Sequence, residues 1–216
     1  MTREAPRGPW TLPVFAADIA LPVGGGVAAA DAPVVWITAG ARLEVAAYVP
    51  SPGGAGHLLL EGIAGQATLA SAEPDEASVL ELLARRHGQL AVEQVLCEDG
   101  VLQMYRAICE LRGVKPRRLG TARLVAQAAA GRDPHCARAL SMFCGLLGDL
   151  AGQAALTLGA RGGVVLAGGL AASLGHWFGR SGFRRRFEAS GRYLDTLRAI
   201  PTIVVPDTVR PRFQIG

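Results

Sequence analysis

Residues 158–170 contain the side chains and backbone best suited to bind a ligand, because small residues surround a short apolar run. Gly159 predicts the end of a helix, and residues 163–166 predict a buried strand. Gly168 and Gly169 lack a Cβ, so the backbone there can adopt positive φ and a ligand can approach its amides. Such a turn between a strand and a helix commonly holds nucleotides in α/β proteins. A tight turn packed under a helix is the alternative interpretation.

The composition predicts helices packed closely on a sheet and does not indicate a membrane protein. The chain has 216 residues, of which 50% are hydrophobic and 6% aromatic, which is enough for a large core. Its apolar runs are shorter than the roughly 20 residues that span a bilayer. Residues 1–7 also lack the apolar stretch of a secretion signal. We therefore expect a cytoplasmic protein without a membrane partner.

The charged residues do not indicate a nucleic-acid partner. The formal charge of +4 comes from 22 basic residues, and Lys115 is the single lysine. Arginine can bind oxyanions through two bonds at once, but here the arginines are scattered among acidic residues. The one cluster, Arg184 to Arg186, is interpreted as the solvated face of a helix. Since neither a basic stripe nor an aromatic platform is present, we expect no nucleic-acid binding.

The cysteines and histidines do not have the spacing of metal ligands. No two cysteines form a C-x-x-C pair, and the histidines are isolated in the sequence. We therefore expect reduced cysteines and no metal site. The cysteines are Cys97, Cys109, Cys136 and Cys144.

Two different hydrophobic periods divide the predicted secondary structure. Alternating or continuous apolar residues before Pro74 predict strands, and a period near 3.6 after it predicts mainly helices. Asp133 and Pro134 are typical of the start of a helix, here the longest one. Strands are predicted around 19–23 and at 34–37, 43–49, 57–60, 163–166 and 202–205. Helices are predicted from 75 or 76 to 88, at 98–111, from a cap at Thr121, from Asp133, and at 171–178 and 183–189.

The same pattern predicts one main domain. Residues 1–33 are rich in proline, glycine and alanine and predict a loop-rich segment. Residues 34–206 contain the strands and helices of a single α/β domain, and residues 207–216 form a short tail. We find no internal repeat and no long linker.

Several separated segments carry a resemblance to a known family. Residues 93–108 include E-Q-V-L, G and Y-R-A-I, residues 138–152 include R-A-L-S-M-F-C and G-D, and residues 158–170 read L-G-A-R-G-G-V-V-L-A-G-G-L. Together with G-F-R at 182–184 and I-P at 200–201, they resemble the larger domain of bacterial glucokinases. This resemblance implies an α/β fold of the ribonuclease H-like, actin-like ATPase class, with a mixed sheet and packed helices.

The resemblance also implies ligands and site residues. Glucokinases transfer phosphate from magnesium-bound ATP to glucose, so glucose, ATP and Mg²⁺ are the implied partners. By position in the motifs, Glu93 and Gln66 correspond to sugar-binding residues. Gly40, Gly168 and Gly169 correspond to nucleotide-binding residues. A carboxylate at the start of a helix is the alternative interpretation of Glu93.

The ligand motifs of this chain depart from the family pattern. The phosphate motif D-x-G-G-T-N does not occur. The resemblance implies that the catalytic aspartate of the family would align before Met1 or with the first few residues. A gapless extension of the alignment sets Glu4 opposite this aspartate, but no residue is assigned as the catalytic base. The second phosphate motif, G-x-G-T-G-L-G, corresponds to residues 38–44, where Gly40 and Leu43 remain. The sugar motif E-G-G-H reads I-A-G-Q at residues 63–66. We therefore expect the larger lobe of a two-lobed kinase, inactive or very weak by itself.

Three functions remain open from the sequence. The first is glucokinase activity, the family reaction that opens glycolysis. The second is a catalytically inactive pseudoenzyme that acts as a binding module, forming a homodimer or pairing with an intact paralogue through its long helices. The third is a gene remnant whose smaller lobe was lost or is encoded upstream.

Overall fold

The computed structural model describes residues 20–51, 57–62, 64–68, 71–206 and 208. Its centre is a six-stranded mixed sheet with the order β1-β6-β5-β2-β3-β4. This confirms the predicted mixed sheet with packed helices. The strands are β1 (Leu21–Pro22), β2 (Val34–Ala39), β3 (Leu43–Pro50), β4 (His57–Gly62), β5 (Gly163–Ala167) and β6 (Thr202–Val204).

The pairing of the strands brings two loop connections to the same edge of the sheet. β2 and β3 form the predicted antiparallel hairpin, and β4 continues it on the far side of β3. β5 runs parallel to β2, with Ala167 opposite Thr38, and β6 runs parallel to β5. Because parallel strands end at the same edge, the turns after β2 and β5 are neighbours.

The described residues form eight α-helices. The long ones lie where the 3.6-residue period predicts them, with 98–111 correct to the residue. The helices are α1 (Pro74–His87), α2 (Val92–Val95), α3 (Glu98–Leu111), α4 (Thr121–Ala129), α5 (Pro134–Thr157), α6 (Gly169–Leu174), α7 (Phe183–Phe187) and α8 (Leu194–Arg198).

Three helix predictions are corrected by the structure. The helix predicted at 171–178 is α6 followed by a 3₁₀ segment over Gly175–Arg180, because Gly175 has a φ of +39° and interrupts the α-helical backbone. The helix predicted at 183–189 ends at Phe187. Thr121 is the first helical residue of α4 and does not cap it: Gly120 holds the capping position, and the Thr121 hydroxyl donates to the Glu98 carbonyl at 3.5 Å.

The sheet buries both faces, but the helical face carries most of the core. Val35 and Ile37 of β2 and Leu166 of β5 join the main core beneath the helices. Trp36 and Val165 belong to a smaller cluster on the opposite face. This alternation follows from the two-residue period of a strand, which sends neighbouring side chains to opposite faces.

Helix α5 is the central element of the helical layer. The Asp133 carboxylate accepts hydrogen bonds from the amides of His135 at 2.9 Å and Cys136 at 3.1 Å, which confirms the predicted cap. By length and composition α5 could cross a membrane, but 72% of its most apolar window is buried inside the fold. Such burial is typical of the core helix of a globular domain.

Glycines on α5 allow α7 to pack against its backbone. A Cβ on Gly152 would lie 2.5 Å from the Phe187 carbonyl oxygen, and one on Gly148 would overlap the Phe183 carbonyl oxygen. Both phenylalanines are completely buried. Any larger residue at these two positions would therefore push α7 away from the core.

The arginine cluster of α7 is not a solvated helix face, as the sequence had suggested. The Arg186 side chain is 4% exposed and forms ion pairs with Glu76 of α1 and Asp149 of α5. Arg184 is half-buried and donates to the carbonyls of Ile200 and Leu197 at 2.9 and 3.1 Å. Only Arg185, 70% exposed, fits the prediction. The sequence pattern could not separate them because the carboxylate partners are distant along the chain.

All four cysteines are buried, and none of them forms a disulfide bond in this fold. Burial raises the pKa of the Cys136 and Cys144 thiols to about 12. These thiols are therefore protonated at neutral pH, and they act as small core residues. Within the described residues, no three His, Cys, Asp or Glu side chains are grouped to hold a metal ion.

The cap of α5 predicts a pH-dependent contribution to stability. Burial would raise the Asp133 pKa, but hydrogen bonds from the Cys136 and His135 amides outweigh it and hold the pKa below its usual value. Asp133→Ala should therefore lower the free energy of unfolding by about 1–2 kcal/mol at pH 7, measured by urea denaturation. Because the folded-state pKa is depressed, this difference should shrink as the pH falls below about 4. Asp195→Ala, at an exposed residue, should show neither effect.

The buried ion pairs predict a large contrast between two adjacent arginines. Arg186→Met leaves the Glu76 carboxylate buried, at 2% exposure, without its cation. We expect this variant to lose about 3–5 kcal/mol of unfolding free energy. Arg185→Met removes only an exposed pair with Glu73 and should cost less than about 1 kcal/mol. Equal losses in urea denaturation would contradict the assigned role of Arg186.

Candidate functional site

The structure brings the three predicted nucleotide-binding glycines together. Gly40 follows β2, and Gly168 and Gly169 follow β5, at the same edge of the sheet. A Cβ built on Gly40 would lie 3.6 Å from the Gly169 amide nitrogen. The glycines of the two turns therefore lie against each other, although they are more than 120 residues apart in sequence.

Gly168 is required at its position for two independent reasons. Its φ is +95°, in a region that residues with a side chain rarely adopt. A Cβ there would also lie 2.5 Å from the Ala39 carbonyl oxygen. The chain can thus turn from β5 into α6 while it stays in contact with the end of β2. The sequence-based expectation of a positive φ is confirmed for Gly168, whereas Gly169 has ordinary helical backbone.

The backbone of Gly40 is already hydrogen-bonded within the protein. Its amide donates to the Arg42 carbonyl at 3.1 Å, which closes the β2–β3 turn. Its carbonyl accepts from the Glu98 amide at 2.9 Å, which joins the turn to the start of α3. The turn is therefore preformed, and the Gly40 amide is not a free donor for a ligand. By contrast, no described side chain caps the start of α6 at Gly168.

The structure also brings the two predicted sugar-binding residues together. Gln66 lies in a 3₁₀ turn over Ala64–Gln66, and its side-chain nitrogen donates to the Glu93 carboxylate at 2.6 Å. The Val92 amide donates to the Ala67 carbonyl at 3.0 Å, so backbone contacts hold the turn beside α2. The pair is accessible to solvent, since Gln66 is exposed and Glu93 half-buried.

Gly65 permits the close approach of Glu93. A Cβ at Gly65 would lie 3.0 Å from both the Glu93 Cβ and one carboxylate oxygen. Glu93 stands in the first turn of α2, as its alternative interpretation requires. Glu93 also accepts a hydrogen bond from Gln66. The observed geometry is therefore compatible both with a carboxylate at a helix start and with a carboxylate placed for a ligand.

One short segment joins the two halves of the site. Glu93 lies in the four-residue helix α2, five residues before Glu98, which is the first residue of α3. Cys97 caps α3 through its sulfur, which accepts from the Gly100 amide at 3.4 Å. The Gln66–Glu93 pair and the Gly40 turn are thus held by consecutive elements of the chain. No sequence motif indicated that the Glu98 amide binds the Gly40 carbonyl.

Some predicted positions fall outside the described residues or carry altered chemistry. Glu4 and Ile63 lie outside the described residues, as does the side chain of Ala64. Glu44 is exposed on β3, opposite Thr38, and places a carboxylate beside the Gly40 turn. Arg42 is exposed at the turn itself.

The mixed sheet with helices packed on it has the fold of the hexokinase-type, actin-like ATPase class, which solved structures of that class share. The family model described as glucokinase matches residues 9–209. A glucokinase from Aromatoleum aromaticum is 42% identical over 195 residues, which is 90% of this chain and 58% of that protein. This chain belongs to the glucokinase family.

Solved structures agree with this fold. A glucokinase from an Antarctic psychrotroph superposes with a TM-score of 0.82 at 24% identity, over 90% of this chain and 60% of that one. A ROK family glucokinase from Streptomyces griseus, in complex with glucose and AMPPNP, gives a TM-score of 0.54 at 15% identity. The match covers 82% of this chain and 55% of that one. The chain thus spans less than two thirds of the length of the relatives it matches.

The geometry of the β5 turn predicts a strong effect of one added methyl group. Gly168→Ala places a Cβ against the Ala39 carbonyl and forces an unfavourable φ, so it should destabilise the fold by about 2–4 kcal/mol in urea denaturation. Gly191 has a φ of +51° but open space around its Cβ position. Gly191→Ala should therefore cost only the backbone strain, about 1–2 kcal/mol. If both variants lost the same stability, close packing between the two turns would not be the reason for Gly168.

Proposed function

We propose that this chain binds glucose and ATP as the larger lobe of a glucokinase. The observation that carries the proposal is that each of two predicted residue sets comes together in the fold, with the segment from Glu93 to Glu98 linking them. Gln66 and Glu93 form a polar pair, and Gly40 lies against Gly168 and Gly169. In this proposal residues 34–206 form the glucokinase-like domain, and the protein acts in the cytoplasm.

Glu93 is proposed to bind the sugar, with Gln66 as its positioning residue. An ionised carboxylate accepts hydrogen bonds from hydroxyl groups, and Gln66 occupies only one Glu93 oxygen at 2.6 Å. The other oxygen can accept a sugar hydroxyl. A hydrogen bond to a charged group contributes about 1.5–3 kcal/mol, so Glu93 would supply a large part of the affinity for a small sugar.

The nucleotide is proposed to lie across the turns after β2 and β5. The glycines of these turns have no side chains, so a ligand can approach the backbone closely there. The Streptomyces griseus relative was solved with AMPPNP and glucose, which supports the assignment of both ligands to this fold. Phosphoryl transfer also requires a base for the sugar hydroxyl, and we assign this role to none of the described residues.

Magnesium is proposed to arrive with the nucleotide. The described residues contain no group of three His, Cys, Asp or Glu side chains that could hold a metal ion. Magnesium is usually bound by one or two carboxylates together with substrate phosphates, and Glu44 and Glu98 beside the Gly40 turn are the carboxylates available for this role. When bound, the ion would neutralise phosphate charge.

A second candidate is a non-catalytic binding module that forms a homodimer or pairs with an intact paralogue. It is favoured by the altered Gly40 turn, whose amide is occupied and which carries Arg42 and Glu44. It is also favoured by exposed leucines on β4, Leu58 at 57% and Leu60 at 41% exposure. Glucose- and ATP-dependent formation of ADP, well above background from the purified chain, would exclude this candidate.

The sugar site predicts a selective loss of glucose binding. Glu93→Gln keeps the shape of the side chain but removes its charge, so the dissociation constant for glucose should rise about tenfold or more in calorimetry. The urea denaturation curve should stay unchanged. Glu81→Gln, in an exposed pair on α1, is the matched control and should bind glucose normally. If neither the wild type nor Glu93→Gln binds glucose, or both bind it equally, the proposed role of Glu93 is wrong.

A further inference from the structure

The tip of the β2–β3 turn carries a cation that the proposed function has not used. Arg42 is exposed and lies two residues after Gly40. It forms neither a hydrogen bond nor an ion pair through its side chain with any residue the structure describes. Its guanidinium is therefore not engaged by any described residue, and its backbone belongs to the turn that meets the Gly168 turn.

Arg42 differs in this respect from most arginines of the helical layer. Arg85 pairs with Glu81 at 2.5 Å, Arg184 with Glu188 at 2.6 Å, and Arg185 with Glu73 at 3.0 Å. Each of these arginines has a structural partner on its own or a neighbouring helix. Arg42 has no such partner and shares this with a few other described arginines, such as Arg161; what distinguishes Arg42 is its place in the turn that meets Gly168.

The backbone of the turn holds Arg42 in place without strain. The Gly40 amide donates to the Arg42 carbonyl at 3.1 Å, and the Gly40 carbonyl accepts from Glu98 at 2.9 Å. Among the described non-glycine residues, only Asp31 has a positive φ, so Arg42 adopts an ordinary conformation. Because these bonds involve backbone atoms, the side chain of Arg42 can be changed without opening the turn.

The surrounding groups make a cation necessary if phosphate is to bind here. The Gly40 amide is occupied, Ala41 has no hydroxyl, and Glu44 places a negative charge two residues after Arg42. Without Arg42, a phosphate chain would meet few hydrogen-bond donors at this turn, and Glu44 would interact favourably with it only through a bound magnesium ion. A guanidinium can form two parallel hydrogen bonds with phosphate oxygens, and it is always charged.

We propose that Arg42 binds the phosphate chain of the nucleotide and replaces the backbone and hydroxyl donors that this turn lacks. The proposal rests on the proposed function, which places the nucleotide at the two glycine turns. It adds that the affinity of the chain for ATP depends on contacts between the phosphates and the side chain of Arg42. The adenosine moiety gains nothing from Arg42.

The experiment compares ATP with adenosine, because the two ligands differ only in the phosphate chain. Binding of each to the purified chain is measured by calorimetry or ligand-observed NMR, with magnesium present throughout. Arg42→Ala should weaken ATP binding about tenfold and leave adenosine binding unchanged. Arg42→Lys should recover part of the loss, because it restores the charge but not the two parallel bonds.

Arg161 supplies the matched control. It is also exposed, but it precedes β5 and therefore lies at the opposite edge of the sheet. Arg161→Ala should bind ATP like the wild type. Added salt should weaken ATP binding to the wild type more than to Arg42→Ala, since salt screens exposed charges.

The outcomes separate this proposal from the proposed function. If the wild type binds both ligands and Arg42→Ala binds ATP equally well, the role of Arg42 is wrong, whereas nucleotide binding by the chain stands. If Arg161→Ala loses as much ATP affinity as Arg42→Ala, general charge attraction explains the binding and the role of Arg42 is again wrong. If the wild type binds neither adenosine nor ATP, both proposals are overturned.

Discussion

The parallel pairing of β2 with β5 is the constraint on which the candidate site depends. It sets Ala167 opposite Thr38, so that the strands end together and the two turns meet. The meeting is possible only because Gly168 has no Cβ where its backbone contacts Ala39. A side chain at that point would separate the strand ends and with them the two proposed nucleotide-binding surfaces. Packing and ligand geometry are therefore set by the same contact.

The helical layer depends on a second constraint, the buried ion pairs of Arg186. They join three helices, α1, α5 and α7, through Glu76 and Asp149. Buried charges are tolerated only when each has a partner, so these helices must keep their relative positions. The glycines on α5 also restrict the positions of these helices, because they allow the backbone of α7 to lie directly against α5. This rigid layer supports the sheet from the face opposite Trp36.

The candidate site combines clustered residues with chemistry that departs from the family pattern. The pair of Gln66 and Glu93 and the three glycines come together at the positions proposed for a sugar and a nucleotide. The Gly40 turn, however, uses its own amide and carries both a cation and a carboxylate. A fold can keep its binding surface while single residues change what it binds and how tightly. For this reason the family membership of the chain and its activity are separate questions.

The sequence by itself determined the strands, the long helices, the cap at Asp133 and the candidate site residues, because these depend on local periods and on recognisable motifs. The sequence pattern wrongly placed Arg186 on a solvated helix face, since the carboxylates that pair with it in the core belong to helices distant in the sequence. It also could not indicate that Glu98 holds the Gly40 turn, or that Gln66 contacts Glu93 across 27 residues. Only the tertiary structure decided these points, because burial and hydrogen-bond partners depend on which distant segments meet. The Ala167–Gly169 turn shows both contributions. Its conformation follows from local residue types, whereas its contact with the end of β2 follows from the pairing of the two strands.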